Sequence, residues 1–286
     1  MQYESPQSVD SAVSLLAAGA DDARVLAGGT DLLVQLRAGM IEPALVVDIK
    51  NIRETREIAR EDGGFRIGAA VSGAEIGEHA ALKEAWPGVV EAVELIGSTQ
   101  IQGRASMGGN LCNASPAADT VPALIAAGAV CRIAGPGGQR DEAVESICTG
   151  PGRTSLAKGE FVVSLYLPAR PPRSADAYLR FIPRTEMDIA VVGAGVNLTL
   201  EASGECSAAR VALGAVAPTA ILVPEAGEAL VGSMLNEPDL ERMAAAVRAA
   251  CHPIDDKRGT VEYRVKVAGV MARRACGIAL DRARSQ

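Results

Sequence analysis

The sequence predicts an α+β protein in two parts, and three observations carry that prediction. Residues 24–27, 32–38 and 45–49 read as strand, helix and strand, a compact β-α-β unit that favours parallel pairing. Beyond residue 177 strands come first and helices afterwards, the pattern of an antiparallel meander with helices gathered against it. Between them, Pro168-Ala169-Arg170-Pro171-Pro172-Arg173 resists both helix and sheet and reads as a linker. The expected division is 1–172 and 173–286.

Element by element, Ser8 caps a first helix on which Val9, Ala12, Val13 and Leu16 recur at helical spacing, and Gly19 ends it. Residues 65–69 read as a strand, and a helix is expected over about 74–84. Pro87 suits the first turn of a further helix reaching Ile96. Gly135-Pro136-Gly137-Gly138 is a turn signal after the apolar run at Cys131, and residues 161–167 form a strand before the linker. In the second part, strands are expected at 178–182, 191–200 and 210–216, with Ala202-Ser203-Gly204-Glu205 as a turn. Helices follow at 225–231, 238–250 and 263–284, the last with Val267, Val270, Met271 and Ala275 on one side.

Composition narrows the function. Of 286 residues, 48% are hydrophobic and 22% charged, which suits a globular protein with well-filled cores. A formal net charge of -7 argues against nucleic acid, and 3% aromatics leaves few base-stacking platforms. No apolar run has the length of a membrane span, and the first residues lack the basic start and apolar centre of a signal peptide, so a soluble cytoplasmic protein is expected. Six widely spaced cysteines without a C-x-x-C read as small buried thiols rather than metal ligands. Only His79 and His252 are present, which gives little basis for a histidine triad or metal site.

The chemistry-bearing stretches are two glycine pairs. Gly28-Gly29-Thr30-Asp31 follows a strand, and Gly108-Gly109-Asn110 lies in a polar, small-residue stretch between apolar helices, read here as a loop. Backbone N–H groups in such turns form anion-binding nests. Thr30, Ser106, Asn110 and Ser115 add side-chain donors, and Asp119 an acceptor for a ribose hydroxyl or amino group. Neither stretch is a G-x-G-x-x-G or a P-loop, so on spacing alone a dinucleotide cradle and plain tight turns both stand. Asp31 and Asp119 also fit as helix caps, Ile96 and Leu156 as core, Cys112 as packing, and Arg273 and Arg274 as a solvated helix face.

Ala27-Gly28-Gly29-Thr30-Asp31-Leu32-Leu33, with Met107-Gly108-Gly109-Asn110-Leu111-Cys112-Asn113-Ala114-Ser115-Pro116-Ala117-Ala118-Asp119-Thr120, resembles the FAD-binding medium subunit of the molybdenum hydroxylases, the xanthine dehydrogenase and aerobic carbon monoxide dehydrogenase family. Tyr178-Leu179-Arg180, Arg184, Asp188-Ile189-Ala190 and Glu262-Tyr263-Arg264 extend the resemblance along the chain. It implies a two-lobed FAD-binding domain of the vanillyl-alcohol-oxidase type, with lobes at about 1–55 and 56–172, then a small C-terminal domain of antiparallel sheet plus helices. Carried over by residue, it implies that Ala27, Gly28, Gly29, Thr30 and Asp31, and Ser106, Gly108, Gly109 and Asn110, hold the FAD pyrophosphate between two loops, with Leu32, Met107 and Ser115 also among the cofactor-binding residues. Asp119 would contact the nucleotide, Ile96 and Leu156 the flavin surroundings, and Arg180 would stand near the cofactor where lysine is frequent.

This chain departs from the family's I-R-N-x-G-T-I at Ile101-Gln102-Gly103-Arg104-Ala105-Ser106-Met107, where Ser106 keeps the hydroxyl and Gln102 removes a charge. The implied role is electron transfer without a catalytic acid or base in this chain. Electrons would pass from [2Fe–2S] clusters of a small subunit, fed by the molybdopterin cofactor of a large subunit, through FAD to an external acceptor. The expected assembly is a dimer of heterotrimers. The competing expectations are a self-sufficient FAD oxidoreductase of the same superfold and a scaffold that has lost its flavin.

Overall fold

The first lobe grows from short, strongly apolar strands. In the computed structural model, which describes residues 1–19 and 22–286, β1 (Gln2–Glu4), α1 (Val9–Ala18), β2 (Arg24–Leu26), α2 (Leu32–Arg37) and β3 (Leu45–Asp48) make a parallel sheet in the order β1-β3-β2. β3 is central and every residue of it is buried, as a doubly paired parallel strand requires. Ser8 caps α1 through its Oγ, and Gly19 closes it, as the sequence predicts. β1 escapes sequence reading because it is three residues long and half exposed, so no alternation marks it.

The second lobe is an antiparallel sheet wrapped by short helices. Its elements are β4 (Ile58–Glu61), β5 (Gly64–Gly68), α3 (Gly73–Glu78), α4 (Ala80–Ala85), α5 (Pro87–Glu94), α6 (Thr99–Gln102), α7 (Met107–Cys112), α8 (Thr120–Ala126), β6 (Val130–Gly135), β7 (Gly138–Ala143), β8 (Cys148–Gly150), β9 (Arg153–Thr154) and β10 (Phe161–Leu167). The sheet order is β4-β5-β10-β6-β7, with β8 and β9 a separate ribbon. The single helix expected over 74–84 is two helices, broken at His79, whose Nδ1 accepts from the Leu82 N–H at 3.1 Å and starts α4. The polar stretch read as a loop is the helix α7, nucleated by Ser106 as its cap.

The C-terminal part is the expected meander, β11 (Ser174–Phe181), β12 (Val192–Leu200), β13 (Cys206–Gly214) and β14 (Ile221–Leu222), followed by α9 (Pro224–Glu228), α10 (Glu237–Ala250) and α11 (Val261–Arg284). α11 lies against β11 and β12. Its buried face is small: Ala268, Ala272, Ala275, Cys276, Ala279 and Ala283. Val270, expected on that face, is exposed, because it lies off the stripe on which Ala268, Ala272, Ala275 and Ala279 are buried. On the other face of the sheet, glycines at Gly195 and Gly214 leave room for Pro122 of α8: a Cβ on either would come within 2.7 Å of that proline. No described helix is long and apolar enough to cross a membrane.

The linker is not slack. The Arg170 guanidinium bonds Asp176 (2.9 Å), Asn197 (3.0 Å) and the Ala85 carbonyl, and lies 4.1 Å over the Trp86 ring. Arg282 of α11 pairs with Glu91 of α5. Both connections fix the C-terminal sheet against the second lobe.

Candidate functional site

Between the lobes lies a cleft of about 400 Å3. Ala27, Gly28, Gly29, Thr30, Asp31 and Leu32 form one wall, at the point where β2 runs into α2. Ser106, Gly108, Gly109 and Asn110 form the other, from the first turn of α7. Ile96 and Leu156 also line it. Two stretches 78 residues apart therefore face one space, and Gln35 Nε2 reaches Asn113 Oδ1 across it at 3.4 Å.

The glycines are there for different reasons. A Cβ on Gly28 would fall 1.9 Å from the Arg104 carbonyl oxygen, so this glycine lets the two walls touch. A Cβ on Gly108 would strike Ala69 at 2.6 Å, so this one seats α7 on the sheet. Gly29 has φ +78°, a left-handed turn that L side chains avoid. A Cβ on Gly109 would meet only Ser106 Oγ, at 3.1 Å, and Gly109 lines the cleft, so here the protein leaves space.

Polar groups follow the same division. Ser106 Oγ accepts from the Gly109 N–H at 3.1 Å, and Asn110 Oδ1 accepts from the Thr120 N–H and hydroxyl at 3.1 and 2.7 Å. Asn110 therefore caps α8; Asp119, at the N-cap position, makes no capping bond. Among the described residues, the N–H groups of Gly28, Gly29, Thr30, Asp31 and Gly108, and the Asn110 amide NH2, find no acceptor in the protein. Neither the capping role open to Asp31 nor any other partner occupies its carboxyl, which partial desolvation pushes up in pKa. A row of unpaired backbone donors on one wall, faced by the Gly108 N–H and the Asn110 amide on the other, with room at Gly109, matches a pyrophosphate: several N–H groups converge and no cation is required. These residues fit the dinucleotide group the resemblance implies.

Four expected residues stand behind the walls. Met107 is 1% exposed and belongs to the core. Ser115 Oγ accepts from the Ala117 N–H and closes a turn. Asp119 and Arg180 hold each other at 2.9 Å, with the Tyr178 hydroxyl donating to Asp119 at 3.3 Å and Arg180 also donating to the Leu95 carbonyl at 2.8 Å. Burial pushes the Asp119 carboxyl up to about 6 against the pull of Arg180. Gln102 Nε2 donates to the Glu94 carbonyl at 2.5 Å. Cys112 lines the cleft, but burial pushes its thiol up to about 12 and leaves it unreactive. Arg273 pairs with Glu237 and Glu241 on the surface of α11.

Sequence reading missed Gln35, Ala105, Asn113 and Glu160, which also line the cleft. Asn113 lay inside the second motif and Ala105 in the divergent run before it; Gln35 and Glu160 carried no signal. Glu160 is held by Arg140 at 2.9 Å, which lowers its pKa.

Fold and cleft together define a two-lobed dinucleotide-binding protein with an appended antiparallel domain. Residues 1–170 match the family model for the FAD binding domain in molybdopterin dehydrogenase, and residues 177–279 match that for the CO dehydrogenase flavoprotein C-terminal domain. The chain is 34% identical to the carbon monoxide dehydrogenase medium chain of Afipia carboxidovorans, covering 99% of this chain and 98% of that one. It is 31% identical to a putative xanthine dehydrogenase FAD-binding subunit of Escherichia coli, over 95% of this chain and 93% of the relative. A reconstituted CO dehydrogenase from Oligotropha carboxidovorans contains a chain that superposes with a TM-score of 0.95 at 33% identity, over 99% and 98% of the two chains. The chain belongs to the FAD-binding medium subunits of the molybdenum hydroxylase family. It is the flavoprotein, electron-transfer subunit of a multisubunit oxidoreductase.

Proposed function

We propose that the interlobe cleft holds the FAD pyrophosphate between Ala27–Asp31 (27–31) and the first turn of α7, with Ile96 and Leu156 beside the flavin. The observation that carries this is the set of unpaired N–H groups on both walls of one cleft, with space left at Gly109. When bound, FAD supplies the redox chemistry that joins one-electron iron–sulfur partners to an external acceptor. This chain's residues bind and aim it. Gly28 to Asp31 donate to the anion, the helix α7 presents its N-terminal end to the same charge, and the Ile96 and Leu156 side chains exclude water.

In the proposed assembly, a small subunit carries [2Fe–2S] clusters and a large subunit the molybdopterin cofactor, as a cytoplasmic dimer of heterotrimers. A self-sufficient oxidoreductase gains little from the cleft: of the two carboxyl groups among its described lining residues, Glu160 is tied to Arg140 and Asp31 makes no capping bond and is raised in pKa by desolvation. Reducing the purified native assembly with its own substrate under anaerobic conditions tests the reading. The flavin absorbance should bleach; a flavin that stays oxidised while substrate is consumed contradicts it.

A further inference from the structure

We propose that Lys50 is a positioning residue for the first glycine loop, acting through a single peptide plane; the inference rests on the FAD reading above. Lys50 lies in the short 3-10 turn Ile49–Asn51 that follows β3. Its Nζ donates to the Ala27 carbonyl at 3.0 Å and to Asp48 Oδ1 at 2.7 Å. The Tyr3 hydroxyl donates to the other Asp48 oxygen at 2.6 Å, and Asp48 is 6% exposed. The ammonium is therefore fixed from behind by two elements of the first lobe.

The consequence follows from peptide geometry. No described peptide is cis, so the Ala27 C=O and the Gly28 N–H point in opposite directions within one plane. Drawing the carbonyl toward Lys50 turns the Gly28 N–H away from it. Gly28 lines the main cleft, whereas Lys50 lines a smaller recess with Arg56, Ser72, Glu75 and Arg104. The N–H so turned is the first of the unpaired donors on the cleft wall. From the second lobe, the Arg104 carbonyl abuts Gly28 and prevents the peptide from shifting sideways. Asp48 neutralises the ammonium at contact distance, so Lys50 acts by orienting a donor and adds little attraction of its own.

The test uses the full chain in its native assembly, stripped of FAD and titrated calorimetrically. Two probes are used, FAD and adenosine diphosphate, the second carrying the pyrophosphate without the flavin. Lys50→Met should weaken both probes about tenfold, the size of one charge-assisted hydrogen bond. The loss should be the same at low and high salt, and Lys50→Arg, which keeps the donor, should restore most of it. If Lys50→Met fails to fold, Lys50→Gln takes its place in the same comparison. Unchanged affinity overturns the proposal, and so does a loss that fades as salt is added, because that marks simple charge attraction. A wild-type assembly that takes up no FAD overturns the underlying reading instead, which separates the two failures.

Discussion

At the scale of single residues, identical glycines answer to different neighbours. Gly28→Ala places a methyl on the Arg104 carbonyl and should destabilise the chain by about 1–3 kcal/mol even without cofactor, measured by urea unfolding. The sequence marks Gly28 and Gly109 equally, as members of glycine pairs. What it cannot carry is that the Arg104 carbonyl comes to face Gly28 from the other lobe, whereas Gly109 meets only Ser106 of its own helix and otherwise opens on the cleft. Asp119 is a second case. Its carboxyl titrates near 6 in the folded chain against 3.8 ordinarily, raised by burial. The folded state thus keeps a proton that the unfolded chain loses, and the Asp119 contribution to stability falls as pH rises from about 4 to about 6, then stays level. The stability advantage of the wild type over Asp119→Asn should be smaller at about pH 7 than at about pH 4. An advantage that grows with pH would show that Arg180 dominates instead.

Among elements, caps decide what the apolar pattern leaves open. The helices and strands with clear periodicity, α1, α5, β10 and α11, were legible from the sequence. α7 was not, because its glycines and polar residues mask a helix that Ser106 nucleates and Ala69 receives. Nor was the break at His79, where the ring nitrogen shares the Leu82 N–H with the His79 carbonyl. Asn110 shows the cost of reading caps by adjacency. Asp119 stands next to α8, yet Asn110, ten positions before Thr120, caps it, since α7 folds back to deliver that side chain. Asn110→Ala should therefore lower stability by about 1 kcal/mol, seen as a lower thermal midpoint of the stripped protein. Asp119→Asn should leave α8 capped, and amide exchange at Thr120 reports the difference.

For the whole molecule, the two parts are coupled more firmly than a proline-rich connection suggests. Its run of prolines correctly marks where helix and sheet stop, but Arg170 within it is nearly buried, with side chains of Arg170 and Asp176 exposed only 9% and 4%. Arg170→Met should cost about 3–5 kcal/mol by leaving Asp176 buried without its partner, measured by denaturant unfolding. The same change should raise the susceptibility of 168–173 to proteolysis. The cleft, in turn, depends on both lobes: neither the loop after β2 nor the start of α7 surrounds an anion alone, and the touch of Gly28 on Arg104 sets them at a fixed spacing before any ligand arrives.

The most direct test of an FAD cleft between those walls is the flavin content of purified Gly109→Val beside the wild type. Inside the protein a Cβ at this position meets only Ser106 Oγ, so the variant should fold, with unchanged circular dichroism. Its side chain would fill the space the pyrophosphate needs. The expected result is one FAD per wild-type chain and a folded variant that lacks FAD; a folded Gly109→Val that retains FAD at wild-type stoichiometry would contradict the placement of the cofactor.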